Sequence, residues 1–490
     1  MRSIPFLLLI ALLACESKPT HTEQANNISE ELIQKIDSNA YYPYVKEKAL
    51  EVVKTGFNAG DGYGEVWIRD YNTFIELSAE VYPKETLKEN LRVFFRLQRQ
   101  DGNIVDGFIP KEKAVQTEGG YKYIFTDLEP DYAGHKNTVE TDHETSLVQA
   151  VYKYVQKTGD TEFLNEKIGD KTVAQRLEWS MDFLMNHRWS EEYGLIWGAT
   201  TADWGDVQHT HPWGVFITED TKYCLDIYDN AMLVIALENL TDLVPSTREK
   251  WLPVKGKIEK NTMDHLWDEE NQKFIPHVYL DGSPFAGDFN ENEIYYHGGT
   301  AVAIEAGLLS KEQIKISLDK MIANRKASGA GSIGLTMYPP YPEGSFENKG
   351  MYPYGYQNGG DWTWFGGRMI QQLVRYGFLE EAYEQLQPMV KRVKDNQGFY
   401  EWYTVNNEPK GSGTFRGSAG VLYQAITTLQ EAARKNWFSG LPMGWLPGLE
   451  YTIPFRFCFS FSSKRSSHRD RCSQMAEHYG LGWIRSGQVG

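Results

Sequence analysis

Five short motifs rich in Trp, Asp, Glu and Gly recur at the starts of alternating helical segments, and this spacing restricts the fold more than any other feature. Trp67-Ile68-Arg69-Asp70 opens one helix, and Thr141-Asp142-His143-Glu144 lies in the first turns of another. Asp203-Trp204-Gly205-Asp206, Asn358-Gly359-Gly360-Asp361-Trp362 and Phe399-Tyr400-Glu401-Trp402 precede three more. In a ring of antiparallel helix pairs, the starts of alternate helices all face one end. Motifs hundreds of residues apart then meet around a single pocket, lined by carboxylates and walled by aromatic rings.

Apolar periodicity and helix punctuation predict twelve helices, at 44–57, 69–81, 84–100, 139–158, 160–187, 219–244, 246–267, 297–309, 311–325, 360–377, 379–395 and 416–435. Leu87, Leu91, Phe94 and Phe95 form one apolar stripe, with Lys84, Glu85, Lys88, Glu89 and Arg92 opposite, so this helix belongs on the outside of the ring. Gly417, Ser418, Ala419, Gly420 and Ala425 are small enough for close packing on the inside. Gly159-Asp160 and Gly377-Phe378 mark tight turns between antiparallel neighbours. The long loops 101–138, 188–218, 268–296, 326–359 and 396–415 all precede inner helices, and loops of that length are usually functional. Alternation over Phe274 to Asp281 suggests a hairpin turning at Asp281-Gly282. The expected class is all-α: six helical hairpins in a toroid, with long loops on one face.

The ends differ from this body. Arg2 precedes an apolar run from Ile4 to Ala14, too short to span a bilayer and typical of a signal segment. Leu12-Leu13-Ala14-Cys15 resembles the lipobox of bacterial lipoproteins, which implies a signal peptide at 1–14, a lipidated Cys15, a tether over 15–40, and a place in the cell envelope, periplasmic or at the surface. The expected enzyme domain covers 41–436. From Trp437 to Gly490 the chain turns basic and loses periodicity, and this tail is expected to lie outside the fold. The net charge of −16 argues against nucleic acid and anionic lipid surfaces as partners, leaving the anchor as the membrane link. Cys224, Cys458 and Cys472 match neither a zinc site nor a disulfide scaffold, and Cys224 reads as a buried thiol on an apolar helix face.

The pocket chemistry suits cleavage of a glycosidic bond. One carboxylic acid must protonate the leaving oxygen and a second carboxylate must activate water, the two lying about 6.5–9.5 Å apart in an inverting enzyme. Asp203 and Asp206 flank Trp204 and are the acid candidates; Glu401, between Tyr400 and Trp402, is the base candidate. Arg69 and Asp70 offer rigid donors and acceptors for a terminal sugar. Trp67, Trp204, Trp362, Trp364 and Trp402 can stack on sugar faces, and Asp142, His143, Glu144, Asn358 and Asp361 can meet hydroxyls. His143 alone is weak support for a metal, so neither metal nor cofactor is expected. Gly60-Asp61-Gly62-Tyr63-Gly64 has the look of a phosphate loop but lacks the strand and spacing one needs.

These residues resemble the six-hairpin, (α/α)6-barrel glycosidases: trehalases, family 63 α-glucosidases, glucoamylases and the glucosidase half of debranching enzymes. Trp67-Ile68-Arg69-Asp70 looks like their pocket floor, Asp203-Trp204-Gly205-Asp206 like their acid loop, and Phe399-Tyr400-Glu401-Trp402 with Gly411 to Gly420 like their base loop. The resemblance covers 45–435 and implies an inverting, metal-independent, exo-acting hydrolase, α-glucosidase-like, on small or terminal glycans. Asp206 would be the acid, Asp203 a ligand of a substrate hydroxyl, and Glu401 the base. Trehalases place the acid directly after the Trp, whereas debranching and phosphorylase relatives place it two residues on. A disaccharide phosphorylase on the same barrel, which needs a basic phosphate pocket, and a non-catalytic glycan-binding lipoprotein are the alternatives. Epimerases and lyases on helical barrels need His or Tyr bases that these loops do not plainly supply.

Overall fold

A computed structural model describes residues 29–116 and 121–439, with side chains to 435. Thirteen α-helices occur in this part: α1 (Glu30–Asp37), α2 (Tyr41–Val53), α3 (Ile68–Ser78), α4 (Lys84–Arg96), α5 (His143–Thr158), α6 (Val173–His187), α7 (Ile227–Leu243), α8 (Arg248–Leu266), α9 (His297–Glu305), α10 (Lys311–Ser328), α11 (Thr363–Arg375), α12 (Leu379–Asn396) and α13 (Arg416–Ser439). Helices α3, α5, α7, α9, α11 and α13 pack each on the next, and α13 returns to α3, so the inner ring closes. The even-numbered helices α2 to α12 lie outside it. Burial follows that division. In α9 every residue from His297 to Ile304 is buried, whereas α4 buries Leu87, Leu91, Phe94 and Phe95 and turns Arg92 outward to pair with Glu85, Glu89 and Glu166. The (α/α)6 toroid expected from the motif spacing is the architecture observed.

The ring closes because its contact faces are small. A methyl group added at Gly420 on α13 would collide with the Thr73 carbonyl oxygen of α3, and one at Gly367 on α11 would lie 2.9 Å from Val421 of α13.

Several local expectations are corrected. Residues 15–40 are not all tether: Ser29 caps α1, and Ile33 and Ile36 on that helix are buried, with α1 packed on α13. The helix expected over 160–187 is a 3-10 turn at Thr161–Asn165, a two-stranded hairpin pairing Lys167–Ile168 with Lys171–Thr172, and then α6. Thr172 and Gln175 form a capping box at the start of α6, a start signal present in the sequence. The 219–244 helix begins only at Ile227, after Asp226 caps it, and Cys224 is a buried free thiol in the strand Tyr223–Leu225 rather than on a helix. The 274–281 hairpin does not form. Lys273–Phe274 pairs with Trp267–Asp268, and Val278–Tyr279 pairs with Cys224–Leu225. Helix α13 continues through Trp437 to Ser439; the remaining tail, residues 1–28 and Cys15, Cys458 and Cys472 lie outside the described residues.

The 101–138 loop also carries strands the periodicity did not show. With β1 (Val66–Trp67), the strands β2 (Gly107–Pro110), β3 (Ile124–Thr126) and β4 (Glu129–His135) form an antiparallel sheet in the order β1-β2-β4-β3, which links the start of α3 to the approach of α5. Among the described residues, no helix is long and apolar enough to cross a membrane.

If the α3–α13 seam depends on close approach, Gly420→Ala should lower unfolding free energy by about 1–3 kcal/mol, the usual range for overpacking. Chemical denaturation checks this, and a stability equal to the parent's would show that the seam can give way.

Candidate active site

Five approach loops and the first turns of three inner helices line a pocket whose space, including that open to solvent, is about 620 Å3. Tyr63, Trp67, Arg69 and Asp70 come from the entry to α3, and Asp106, Tyr121, Asn137, Glu140 and His143 from the entry to α5. Trp204 and Asp206 precede α7, Tyr356, Gln357, Trp362 and Trp364 belong to the entry of α11, and Glu401 and Phe415 precede α13. The 268–296 loop contributes no residue to this lining; its Glu291 instead bonds Tyr279, His277 and Tyr341 away from the cavity.

Arg69 and Asp70 are neighbours in the first turn of α3, and the helical rotation between them sends them to different tasks. Arg69 makes a bidentate contact with Asp142 (Nε to Oδ2 2.7 Å, Nη2 to Oδ1 3.0 Å), pairs with Glu140 at 2.5 Å and donates to the Trp204 carbonyl at 3.3 Å. Tyr228 of α7 donates to the same Asp142 carboxylate at 2.7 Å. Burial raises the Asp142 carboxyl, but the charges of Arg69 and His143 and the hydrogen bonds from Arg69 and Tyr228 together outweigh it and pull the pKa down to about 2. Asp142 therefore braces Arg69 and is absent from the cavity lining, contrary to its expected role at a hydroxyl. Asp70 faces the cavity. Its Oδ1 is buried with no hydrogen-bond partner among the described residues, and burial, with Glu401, Glu140 and Asp206 adding to it against Arg69, pushes its carboxyl up to about 8.

The two acid candidates separate cleanly. Asp203, at a φ of 56°, turns back into the protein, where both its oxygens accept from the Gly299 N–H of α9, at 2.9 and 3.1 Å. Burial pushes its carboxyl well above the usual range, and the N–H groups at the start of α9 oppose that rise. A Cβ on Gly299 would lie 2.7 Å from Asp203 Oδ1, so the close approach requires glycine. Asp203 does not line the cavity, and the expectation that it meets a substrate hydroxyl is corrected. Asp206 does line it. Tyr356 donates to its Oδ2 at 3.3 Å, the Asp206 N–H donates to Gln357 at 3.2 Å, and the Asp206 carbonyl accepts from Asn137 at 2.8 Å. Its Oδ1 is buried without a hydrogen-bond partner among the described residues, and burial, then Glu140, lifts its pKa to about 6.

Glu401 reaches the same cavity from the last approach loop. Its Oε2 accepts from the Tyr63 hydroxyl at 2.7 Å and from the Ser412 N–H at 3.2 Å, and burial raises its carboxyl. The loop that carries it is held by the Gly-Asp-Gly-Tyr-Gly segment. Asp61 Oδ1 accepts from the Ser412 hydroxyl, from the Thr414 N–H at 3.0 Å and from the Thr414 hydroxyl at 2.8 Å, while the Arg416 N–H donates to Ala59 at 2.7 Å. The phosphate-loop look of 60–64 thus marks a clasp between the first and last approach loops.

Four other expected ligands are structural. Asn358 is fully buried and bonds the backbone of Tyr341 and Met351. Asp361 is paired with Arg392 at 2.8 Å and accepts from Ser332, which leaves it no face toward the cavity. Trp402 packs beside Tyr356, 6.4 Å between ring centres, and lines nothing. Glu144 holds Lys136 and the Ile104 N–H. Trp67, Trp204, Trp362 and Trp364 do line the cavity, with Trp204 and Trp362 edge-on at 4.9 Å. Sequence reasoning missed Tyr63, Asp106, Tyr121, Asn137, Glu140, Tyr356 and Gln357, of which only Tyr63 stood in a segment with a visible pattern. Asp106, Glu140 and His143 each bring one donor atom within 4.8 Å of the others, and each residue already has a protein partner: Asn137, Arg69 and Glu140 respectively.

Residues 39–403 match the family model described as glycosyl hydrolase 94 superfamily, catalytic domain. The chain belongs to that superfamily. That superfamily groups it with the glycoside hydrolases and phosphorylases. An N,N'-diacetylchitobiose phosphorylase of Vibrio proteolyticus is 22% identical over 398 residues, covering 72% of this chain and 45% of that protein. Its counterpart in Vibrio furnissii is 25% identical over 236 residues, covering 44% and 26%. The chain thus spans less than half the length of these curated relatives. Among solved structures, an uncharacterized conserved protein of Thermus thermophilus matches with a TM-score of 0.56 at 16% identity, covering 78% of this chain and 99% of that one. A GH63 mannosylglycerate hydrolase of the same organism, in complex with glucose, matches with a TM-score of 0.55 at 16% identity and the same coverage. At that identity the likeness is one of fold, and it is the (α/α)6 barrel.

Tyr63 gives a test of the clasp. Tyr63→Phe removes one hydrogen bond from Glu401 and leaves the ring in place, so the acidic limb of the kcat/KM profile should move to higher pH with little change in thermal stability. An unmoved limb would show that the hydroxyl does not tune Glu401.

Proposed function

We propose that the protein is an inverting, exo-acting glycoside hydrolase, with Asp206 as general acid and Glu401 as general base. The observation that carries this reading is the pair itself. Two buried carboxyls from different approach loops line one cavity, each with one oxygen on a tyrosine hydroxyl, and Asp206 keeps its second oxygen unpartnered. Asp206, raised to about 6, keeps its proton at mildly acidic pH and gives it to the bridging oxygen as the C1–O bond breaks. Glu401 takes a proton from a water that attacks C1 from the opposite face, so the new C1–O bond has inverted configuration. Asp70, protonated at neutral pH, offers both a donor and an acceptor to the terminal sugar at the closed end. Terminal α-glucosides on small glycans are the first substrates to test.

A phosphorylase is the second reading, favoured by the activity of both Vibrio relatives. The electrostatics of the cavity weigh against it. Asp70, Asp106, Glu140, Asp206 and Glu401 line it, and among the described residues Arg69 is the sole Arg or Lys, already taken by Asp142 and Glu140. With that cation already paired, a phosphate dianion would find no free Arg or Lys among the described lining residues.

The test is turnover of gluco-, galacto- and manno-disaccharides with and without inorganic phosphate, followed by NMR. Release of free sugar of inverted configuration without phosphate is expected; strict phosphate dependence with a sugar 1-phosphate product would replace hydrolysis by phosphorolysis. Asp206→Asn and Glu401→Gln should each cost on the order of 10²–10⁴-fold in turnover. Asp203→Asn should instead lower the melting temperature, because it weakens the cap on α9, and a larger loss of turnover there than at Asp206 would reverse the acid assignment. Since the acid must be protonated and the base ionised, kcat/KM should fall as pH rises through about 6, the value of Asp206, and should also fall on the acid side, where Glu401 takes a proton. An alkaline limb that survives in Asp206→Asn would belong to another group.

We also propose, from the lipobox-like Leu12 to Cys15, that the chain is lipid-anchored at Cys15 outside the cytoplasm. Palmitate labelling that is abolished by Cys15→Ser is the expected result, and equal labelling of the variant would remove the anchor.

A further inference from the structure

The loop that follows the acid is pinned at both flanks and ends in an uncovered ring. Val207 and Gln208 are buried directly after Asp206. The Gln208 N–H donates to the Gly214 carbonyl at 2.9 Å, and the Gln208 side chain donates to the Phe216 carbonyl. Glu347 donates from its N–H to the His209 carbonyl at 3.0 Å, and Ile217 from its N–H to Thr138 at 2.8 Å. These bonds fix residues 208–217 on two sides, and the tip they present is Pro212-Trp213. Trp213 is 53% exposed, the one tryptophan among the exposed large apolar side chains of the described residues. It is not isolated. Its ring lies edge-on to Tyr121 at 6.4 Å, and Tyr121 both lines the cavity and lies 4.3 Å from the His135 ring. A continuous aromatic surface therefore runs from the cavity wall outward along the loop that carries the acid.

The chemistry gives that direction a meaning. A general acid sits at the bridging oxygen, with the terminal sugar on one side and the leaving group on the other. In the reading above Asp70 holds the terminal sugar beside Arg69, so what extends outward past Asp206 toward Trp213 is the leaving group. We propose that Trp213, with Tyr121 at its edge, is a stacking platform for a pyranose ring in the leaving group, and that the substrates are oligosaccharides rather than glycosides of small acyclic alcohols or acids. The direction assigned to the leaving group rests on the hydrolase reading above; the platform itself rests on the exposed ring and its continuity with the cavity.

The experiment compares the parent with Trp213→Ala and Trp213→Tyr, surface changes that leave the core untouched. Kinetics use a trisaccharide that the parent cleaves and the glycosyl fluoride of its terminal sugar, whose leaving group has no ring to stack. In Trp213→Ala the ratio of kcat/KM on the trisaccharide to that on the fluoride should fall about tenfold, through KM, equivalent to about 1.4 kcal/mol; Trp213→Tyr should restore most of it. An unchanged ratio overturns the platform. A binding arm is independent of turnover: maltotriose, α-mannotriose and chitotriose are titrated into Asp206→Asn protein with and without Trp213→Ala. Affinity weakened about tenfold by the alanine, for a sugar that the parent does not hydrolyse, would keep the platform and sink the hydrolase reading. Equal affinity in both proteins, or binding of none of the three by either, would overturn the platform.

Discussion

The ion pair between Arg69 and Asp142 is the contact on which the site depends. Both groups are buried, so each forfeits hydration, and the geometry returns it through two parallel hydrogen bonds, with Glu140 and Tyr228 completing the set. The pair joins the starts of α3 and α5, Tyr228 adds α7, and the Arg69 bond to the Trp204 carbonyl adds the acid loop. Loss of one partner would strand a buried charge at a cost of about 3–5 kcal/mol. The position of Asp70 follows from this, because a residue beside a locked Arg69 in a helical turn has one direction left, and it leads into the cavity.

That brace also sets the proton inventory. Arg69 helps hold Asp142 ionised, whereas burial pushes Asp70 and Glu140 up to about 8 and Asp206 up to about 6. Buried carboxyls without a cation relieve the field by holding protons. The superfamily match and this inventory answer different questions. The match gives the family of the barrel; the crowding of carboxyls bears on the proposed chemistry.

The ring was legible in the sequence because its signal is collective: alternate helix starts carry aromatic and acidic residues, and outer helices such as α4 show a one-sided stripe. The cavity was legible where a motif residue sits in the first turn of an inner helix, as Asp70 does, or beside a tryptophan in the acid loop, as Asp206 does. It failed where identity alone says nothing of direction. Asp203 and Asp206 are chemically alike and three residues apart, yet a left-handed turn at Asp203 sends the first to α9. Asp361 and Asn358 share the composition of a sugar site, but Arg392 and the Tyr341 backbone claim them. Tyr356 and Asn137 carried no pattern at all, since their roles arise only when distant loops converge. The strands β2 to β4 escaped notice because short, irregularly exposed segments show no clean alternation.

The clasp of Asp61 and Tyr63 on the base loop joins segments more than 330 positions apart, across the junction where the chain's first and last hairpins meet. Glu401 thus takes its orientation from the opposite end of the polypeptide. Under the proposed roles, a chain whose first and last hairpins have not met lacks a correctly aimed Glu401, so cleavage would begin only once the circle is complete. In the proposed mechanism, turnover therefore doubles as a readout of ring closure.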